Sequence, residues 1–424
     1  MGATLVEPLR RTTPPGAAVS PSPGPPPGAR ERLRSLDVFR GLTVAGMLLV
    51  NNPGSWGAIY PPLAHAAWNG GTPTDLIFPF FLFIVGITTE LSLGGRRARG
   101  EPDRAIVRQV IRRGSLIFLF GLLLSWFPGF TWTAIDGVDA PSLLDRIVHR
   151  LEHLRIMGVL QRIGLAYAIA ALLTLRTTLR QQLAIVATLL VGYWAAMMLL
   201  PVPGEGGAIG AQLLDQPGRV LSAWVDRTLL GVDHLWVGGK TWDPEGLLST
   251  IPAVATAMLG SFAGRWIGRR QLPLPERLAG LFAVGALLMM AGLIWHWGFP
   301  INKSLWTSSY VLFTGGLAAV TLATCMWLID HLGVTWGTGF FVVYGTNPMI
   351  AFLGSGLMAR TMGSLIRWES APGTMVSLQQ TLFSAVYASW LSPVNASLAY
   401  AISFVLVWYA ILAVLHQRGV VFKV

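Results

Sequence analysis

The stretch "LAHAAWNGGTPTDLIFPFFLFIVG", residues 63–86, sets His65, Asn69 and Asp75 against one of the most apolar runs of the chain. Histidine has an ordinary pKa of roughly 6.5, so its neutral ring can serve as a general base or a nucleophile near neutral pH. Taken alone, a loop histidine beside an apolar run is most often an ordinary interfacial group. Three features make His65 more specific. Its loop carries no lysine or arginine, "WNGG" supplies a turn, and the helix expected after it is kinked by Pro79 in "DLIFPFF".

Other polar residues interrupt apolar context. Asn51 ends the first apolar run, Asp75 opens the second, and Arg155 and Arg162 stand at the start of the fourth. Glu245 opens the sixth in "DPEGLLST", Lys303 precedes the eighth in "FPINKSLW", and Asn347 with Pro348 breaks the ninth. A charge at membrane depth is costly, so such residues pair or line a wet cavity. On one helix, Arg155 and Arg162 would share a face about 10 Å apart in depth. All but Asn347 fall toward one membrane face, which predicts a polar chamber open to the outside. Asn69, Asp75, Arg155, Arg162, Glu245, Lys303 and Asn347 are its expected substrate-binding residues. The plainer reading is a set of internal ion pairs and interfacial anchors.

A second concentration of charge, "GGRRARGEPDRAIVRQVIRR", holds seven arginines between Arg96 and Arg113. It reads either as a cytoplasmic loop touching lipid headgroups or as a cradle for the phosphates of a cytoplasmic ligand. No Walker, dinucleotide or GxSxG motif is present. The seven histidines are scattered without HxxH or HExxH spacing, and the one cysteine, Cys325, sits in an apolar run. Neither a metal nor a disulfide is therefore expected.

The elements that must position these residues are membrane helices. Of 424 residues 53% are hydrophobic and 12% charged, with mean hydropathy +0.56, which excludes an ordinary soluble domain. The fold class expected is all-α and polytopic, with about ten spans near 37–52, 74–94, 107–127, 155–175, 181–201, 246–267, 277–298, 306–330, 337–359 and 396–417. A short interfacial or re-entrant helix is expected over 375–391. One set of loops and both termini hold 21 of the lysines and arginines and the other loops nine, so both termini are expected in the cytoplasm. Topology thereby accounts for the net charge of +11 without nucleic acid. Residues 1–34 form a proline-rich tail expected to be disordered, without the apolar core of a signal peptide, and 35–424 form the membrane domain.

In order along the chain, "SLDVFRGLTVAGMLLVN", "HAAWNGGTPTDLIFPFFLFIVG", "LRIMGVLQRIGLAY", "DPEGLLSTIPAVATAMLG", "FPINKSLWTSSY" and the closing "FKV" resemble the heparan-α-glucosaminide N-acetyltransferase family of transmembrane acetyltransferases and its bacterial relatives. The resemblance implies an enzyme that takes acetyl-CoA from the cytosol and acetylates a glucosamine amine across the membrane. It implies a catalytic role for His65, with Asn51 beside it as a donor to the tetrahedral intermediate. Asp37, Arg40, Arg96, Arg97, Arg99 and Gln161 would then serve acetyl-CoA, without a metal. Met157 stands where relatives often have proline, which alters only the start of the fourth span; "NPGSWGAIYPPLA" departs from the animal glycine-rich stretch and should shape the acceptor pocket, so a cell-wall or envelope amino sugar, reached from a bacterial cytoplasmic membrane, is the expected acceptor. A homodimer is left open. The competing reading is a transporter or flippase for a sugar or glycolipid, with helices broken at Pro79 and Pro348. A structural membrane subunit is the third.

Overall fold

A computed structural model describes residues 33–132 and 134–422. Helices occupy every one of the apolar segments: α1 (Arg34–Asn51), α2 (Ile77–Ala98), α3 (Asp103–Trp126), α5 (Val159–Arg176), α6 (Leu179–Leu199), α9 (Leu247–Ile267), α10 (Leu274–His296), α11 (Ser308–Met326), the pair α12 (Thr338–Thr346) and α13 (Pro348–Arg360), and α15 (Pro393–Gln417). Shorter helices lie between them: α4 (Leu143–Glu152), α7 (Gly210–Leu213), α8 (Leu221–Leu230) and α14 (Leu378–Phe383). Most of the tail expected to be disordered, up to residue 32, lies outside the described residues.

Among the described residues, seven helices are long and apolar enough to cross a membrane, and the α12–α13 pair makes an eighth. The expectation was ten. The two left over are α1, with Arg34, Asp37 and Arg40 in its first turns, and α3, which opens with Asp103, Arg104, Arg108, Arg112 and Arg113. The ninth apolar run is broken where expected. Asn347 takes a non-helical conformation (φ −129°, ψ 55°) ahead of Pro348, and the two halves meet at 81°. Pro79 does not kink α2. It falls in the first turn, where the missing N–H has no helical acceptor to lose. Within the segment expected as a short helix, 375–391, α14 runs without a break into a π turn over Ser384–Ala388, and a hairpin of β1 (Arg367–Ala371) and β2 (Thr374–Ser377) leads into it.

The bundle is sealed where helices approach without side chains between them. A Cβ at Gly86 of α2 would collide with the Ala257 carbonyl of α9, and one at Gly41 of α1 with the Phe341 carbonyl of α12. Around such seams lie apolar clusters, one of them formed by Val44, Leu48, Tyr344, Phe404, Trp408 and Leu412 from α1, α12 and α15. A second, with Tyr193, Met197, Phe299 and Leu305, closes the end where α2, α5, α9 and α11 begin. A third, with Leu93, Ile106, Val110, Tyr167 and Leu175, closes the opposite end. Chain direction thus gathers the starts of α2, α5, α9 and α11 at one end of the bundle, and the expected site residues lie there.

Candidate functional site

His65 is held by a short, heavily hydrogen-bonded loop. Pro61–Leu63 and Pro73–Leu76 are single 3-10 turns, and between them the chain folds back so that Asp75 faces His65. His65 Nδ1 lies 2.6 Å from Asp75 Oδ1. The other carboxylate oxygen, Oδ2, accepts from Ala66 N and Thr72 N at 3.0 Å each and from Thr72 Oγ1 at 3.1 Å. Tyr310 Oη donates to the Asp75 carbonyl at 2.5 Å. A carboxylate that accepts three donors on one oxygen is an acceptor on the other, so His65 Nδ1 carries the proton and Nε2 the lone pair. The Asp75 side chain is 1% exposed and that of His65 44%, so the orienting group is buried while the ring stays accessible.

Lys303 supplies the cation beside the ring, with Nζ 3.3 Å from Nε2 and 3.4 Å from Nδ1. "FPINKSLW" places it through a tight turn. Asn302 Oδ1 accepts from Leu305 N at 2.9 Å, and Trp306 N donates to the Lys303 carbonyl at 3.1 Å. Trp306 has a left-handed backbone (φ 53°), a strained conformation for a tryptophan. It persists because the indole is buried against Phe78 and Tyr310 and donates to Thr256 Oγ1 at 3.0 Å. Burial pushes the Lys303 ammonium below the ordinary lysine range, against the pull of Glu245 and Asp75.

Next to this dyad lies a charge network built by α9's leading loop. Arg155 Nε and Nη2 donate to Asp243 at 2.8 and 2.6 Å, and Nη2 also donates to Glu245 Oε2 at 2.5 Å. Asp243 accepts in addition from Trp236 N and Glu245 N, at 2.9 and 2.8 Å. Burial works against both ions, but their attraction outweighs it: Glu245 is held below the ordinary carboxylate range and Arg155 above the ordinary guanidinium range. Arg162 lies behind them, fully buried, donating to Ser249 Oγ and the Gly246 carbonyl and stacked 5.1 Å from the Trp306 ring. Asp226 accepts from Leu247 N at 2.8 Å, and burial raises its carboxyl to about 7.

Of the expected catalytic and substrate-binding residues, the structure gathers His65, Asp75 and Lys303 together and Arg155 with Glu245 alongside. Asn69 is spent on the loop itself, donating to Asp215 Oδ1 at 2.6 Å and accepting from Asn302 Nδ2 at 3.2 Å. Arg155 and Arg162 do not share a helix face, because α5 begins only at Val159, after an extended Gly158. Asn51 ends α1 exposed and, among the described residues, makes no hydrogen bond to His65. Asn347 is apart from these residues. Its amide donates to the Val420 carbonyl and accepts from Phe422 N, both at 2.9 Å, so it pins the C-terminal segment.

At the other end, Arg96 and Arg99 bond to Glu101 at 2.6 and 2.7 Å, and Arg97 donates to the Leu175 carbonyl and faces Asp103 at 4.0 Å. Arg40 pairs with Asp37 at 3.3 Å and donates to the Gly345 carbonyl at 3.2 Å. Gln161, by contrast, lies at the start of α5 and so at the histidine end, buried between α3 and α5, and among the described residues its Nε2 has no partner. Arg104, Arg108 and Arg176 line a groove of about 530 Å³ at the arginine end. The loop's leading arginines are therefore internally paired, and the groove uses those further along. Asp243, Asn302 and Tyr310 were missed by the sequence reading, although Asp243 stands at the head of "DPEG".

A helical bundle apolar enough to span a membrane, with a carboxylate-oriented histidine at one end and an arginine-lined groove at the other, defines a polytopic membrane protein. Residues 32–292 match the sequence family described as heparan-alpha-glucosaminide N-acetyltransferase, catalytic. The chain belongs to that family. It is 30% identical over 366 residues to the heparan-alpha-glucosaminide N-acetyltransferase of Homo sapiens, covering 76% of this chain and 52% of that protein. To the same-named protein of Mus musculus it is 29% identical over 366 residues, covering 76% and 53%. The chain spans about half the length of the curated relatives it matches.

Proposed function

We propose that this chain acetylates an amino sugar on the outer side of a bacterial cytoplasmic membrane, using acetyl-CoA from the cytosol and the His65–Asp75 pair as its reaction centre. The observation that carries the proposal is the 2.6 Å contact between His65 Nδ1 and Asp75, which leaves the lone pair on Nε2, 3.3 Å from Lys303 Nζ, on a ring that is 44% exposed. An ammonium cannot attack a thioester, so the acceptor must lose a proton, and Nε2 is placed to take it. The amine nitrogen then bonds to the acetyl carbon, the carbon–sulfur bond breaks, and the proton passes from His65 to the leaving thiolate. If His65 first carries the acetyl group, Nε2 bonds to the acetyl carbon as the carbon–sulfur bond breaks and the thiolate leaves; the amine then attacks that carbon, the carbon–Nε2 bond breaks, and the amine's proton passes to Nε2 and on to the thiolate. In both routes Asp75 fixes the tautomer and balances the charge on the ring. Asn51, exposed at the end of α1, donates to the bound tetrahedral intermediate in this reading.

The donor must reach far. α2 has 22 residues and is therefore about 33 Å long, with Asp75 before its start and Arg96 and Arg97 at its end. The proposal accordingly places the nucleotide at the arginine end and a thin acyl-bearing arm running through the bundle. The bend at Asn347 fits a transporter equally well, but a transporter does not need an oriented base. Purified protein incubated with labelled acetyl-CoA and glucosamine tests the choice: label enters the sugar with wild type and falls to background with His65→Ala. Equal labelling by both would refute the enzyme reading.

A further inference from the structure

Outside this site, α4 and the residue after it carry "HRLEH", residues 149–153. Helical positions i, i+3 and i+4 face the same way, and ligand atoms of His149, Glu152 and His153 come within 4.8 Å of one another. The two imidazole centroids are 4.0 Å apart. His153 Nδ1 lies 2.9 Å from the His149 carbonyl, which can only accept, so Nδ1 bears the proton and the Nε2 lone pair is free. Nε2 faces Asp233 Oδ1 at 3.7 Å. Asp233 belongs to a different segment, the turn Val232–His234, and that turn is stitched to the chain just after α4. His234 Nδ1 donates to the Leu154 carbonyl at 2.8 Å, and Ile156 N donates to the His234 carbonyl at 3.1 Å.

We propose that His149, Glu152 and His153, with Asp233 as fourth ligand, bind a divalent transition-metal ion of the zinc class. Two imidazoles and two carboxylates match its preference for mixed nitrogen and oxygen ligands, whereas calcium and magnesium call for oxygen alone. Zinc bonds of about 2.0–2.2 Å in a tetrahedron put ligand atoms about 3.3 Å apart. The ligand atoms of His149, Glu152 and His153, within 4.8 Å of one another, exceed that by up to about 1.5 Å and the His153–Asp233 contact of 3.7 Å by about 0.4 Å, within reach of rotations of side chains that are partly exposed. The Nδ1–H bond of His153 to a carbonyl is the kind of outer contact that orients a metal-bound histidine. The absence of HxxH and HExxH spacing, taken from the sequence as an argument against a metal, does not bear on this arrangement.

A bound ion would tie α4 to the Val232–His234 turn on either side of the Arg155–Asp243–Glu245 network. His153 precedes Arg155 by two residues, and Trp236, whose N–H binds Asp243, follows the turn. The ion is thus a clamp on the rim of the proposed reaction centre, distinct from its chemistry.

The test uses tag-free, chelator-treated full-length protein in detergent, with equilibrium dialysis against Zn²⁺ and the visible absorption of Co²⁺ as readouts. One saturable ion per chain is expected, with a Co²⁺ spectrum of tetrahedral intensity. His153→Gln should weaken binding at least about tenfold, the loss typical even of outer contacts, and Asp233→Asn should weaken it less. Zinc should raise the melting temperature of wild type and not of His153→Gln, while the metal-free melting temperatures agree. Should His153→Gln fail to fold, His149→Gln gives the same comparison. Unsaturable binding, or equal affinity in wild type and a folded histidine variant, would overturn the proposal.

Discussion

Asp75→Asn isolates the orienting contact from everything else at the site. The amide keeps the shape of the carboxylate, and its oxygen can still accept from Ala66 N and Thr72 N, now 3.0 Å from Asp75 Oδ2. That choice forces the NH2 group toward His65 Nδ1, 2.6 Å from Oδ1 in wild type. Two donors cannot face each other, so the ring must turn over its tautomer, placing its proton on Nε2 and removing the base. An amide in place of the orienting aspartate of a serine-protease triad lowers turnover about 10⁴-fold for this reason. The same order is expected here, about 5 kcal/mol in barrier height. Folding should lose only about 1–3 kcal/mol, because the backbone donors keep an acceptor. The assay is the initial rate of acetyl transfer to glucosamine at saturating acetyl-CoA, alongside a melting curve. A folded Asp75→Asn protein within about tenfold of wild type would refute the tautomer argument.

Three other outcomes follow from the same geometry. Arg155→Met strands two carboxylates, Asp243 and Glu245, whose side chains are 0% and 7% exposed, and should cost about 3–5 kcal/mol of stability; an unchanged melting temperature would contradict this. Asp226 holds a proton up to about pH 7 in the fold, whereas an unfolded carboxyl releases it near pH 3.8. Between those values the folded chain binds more protons than the unfolded one, so stability falls as pH rises from about 4 to 7. Asp226→Asn should flatten that slope, and melting curves at pH 5 and 8 with the same difference as wild type would count against it. Gly86→Ala drives a methyl into the Ala257 carbonyl and should abolish monodisperse protein; wild-type elution and melting would show that α2 and α9 can separate cheaply.

The segments that became helices were legible because apolar runs of this length have few other ways to satisfy their backbone. What composition could not give was register at the ends. "LRIMG" reads as the start of a span, yet Gly158 is extended and α5 begins after it, so Arg155 turns out of the helix toward Asp243. The residues of the dyad were both visible in one quoted stretch, but their contact depends on the loop between them folding back through Thr72, which no periodicity reports. Arg96 and Arg99 looked like free cations although Glu101 follows closely in sequence, and in the fold it takes both. Asn347 marked the broken helix correctly, and its partners, Val420 and Phe422, lie more than seventy residues away. "HRLEH" was overlooked because α4 lies in a loop with too little apolar length to register as a span.

The claim on which the rest depends is that acetyl crosses the membrane and is delivered at His65. Sealed proteoliposomes of purified protein, with labelled acetyl-CoA confined to one side and glucosamine to the other, measure this directly. The expected result is labelled sugar only in the compartment opposite the acetyl-CoA, abolished by His65→Ala. Product confined to the acetyl-CoA side, or transfer that survives the loss of His65, would contradict it.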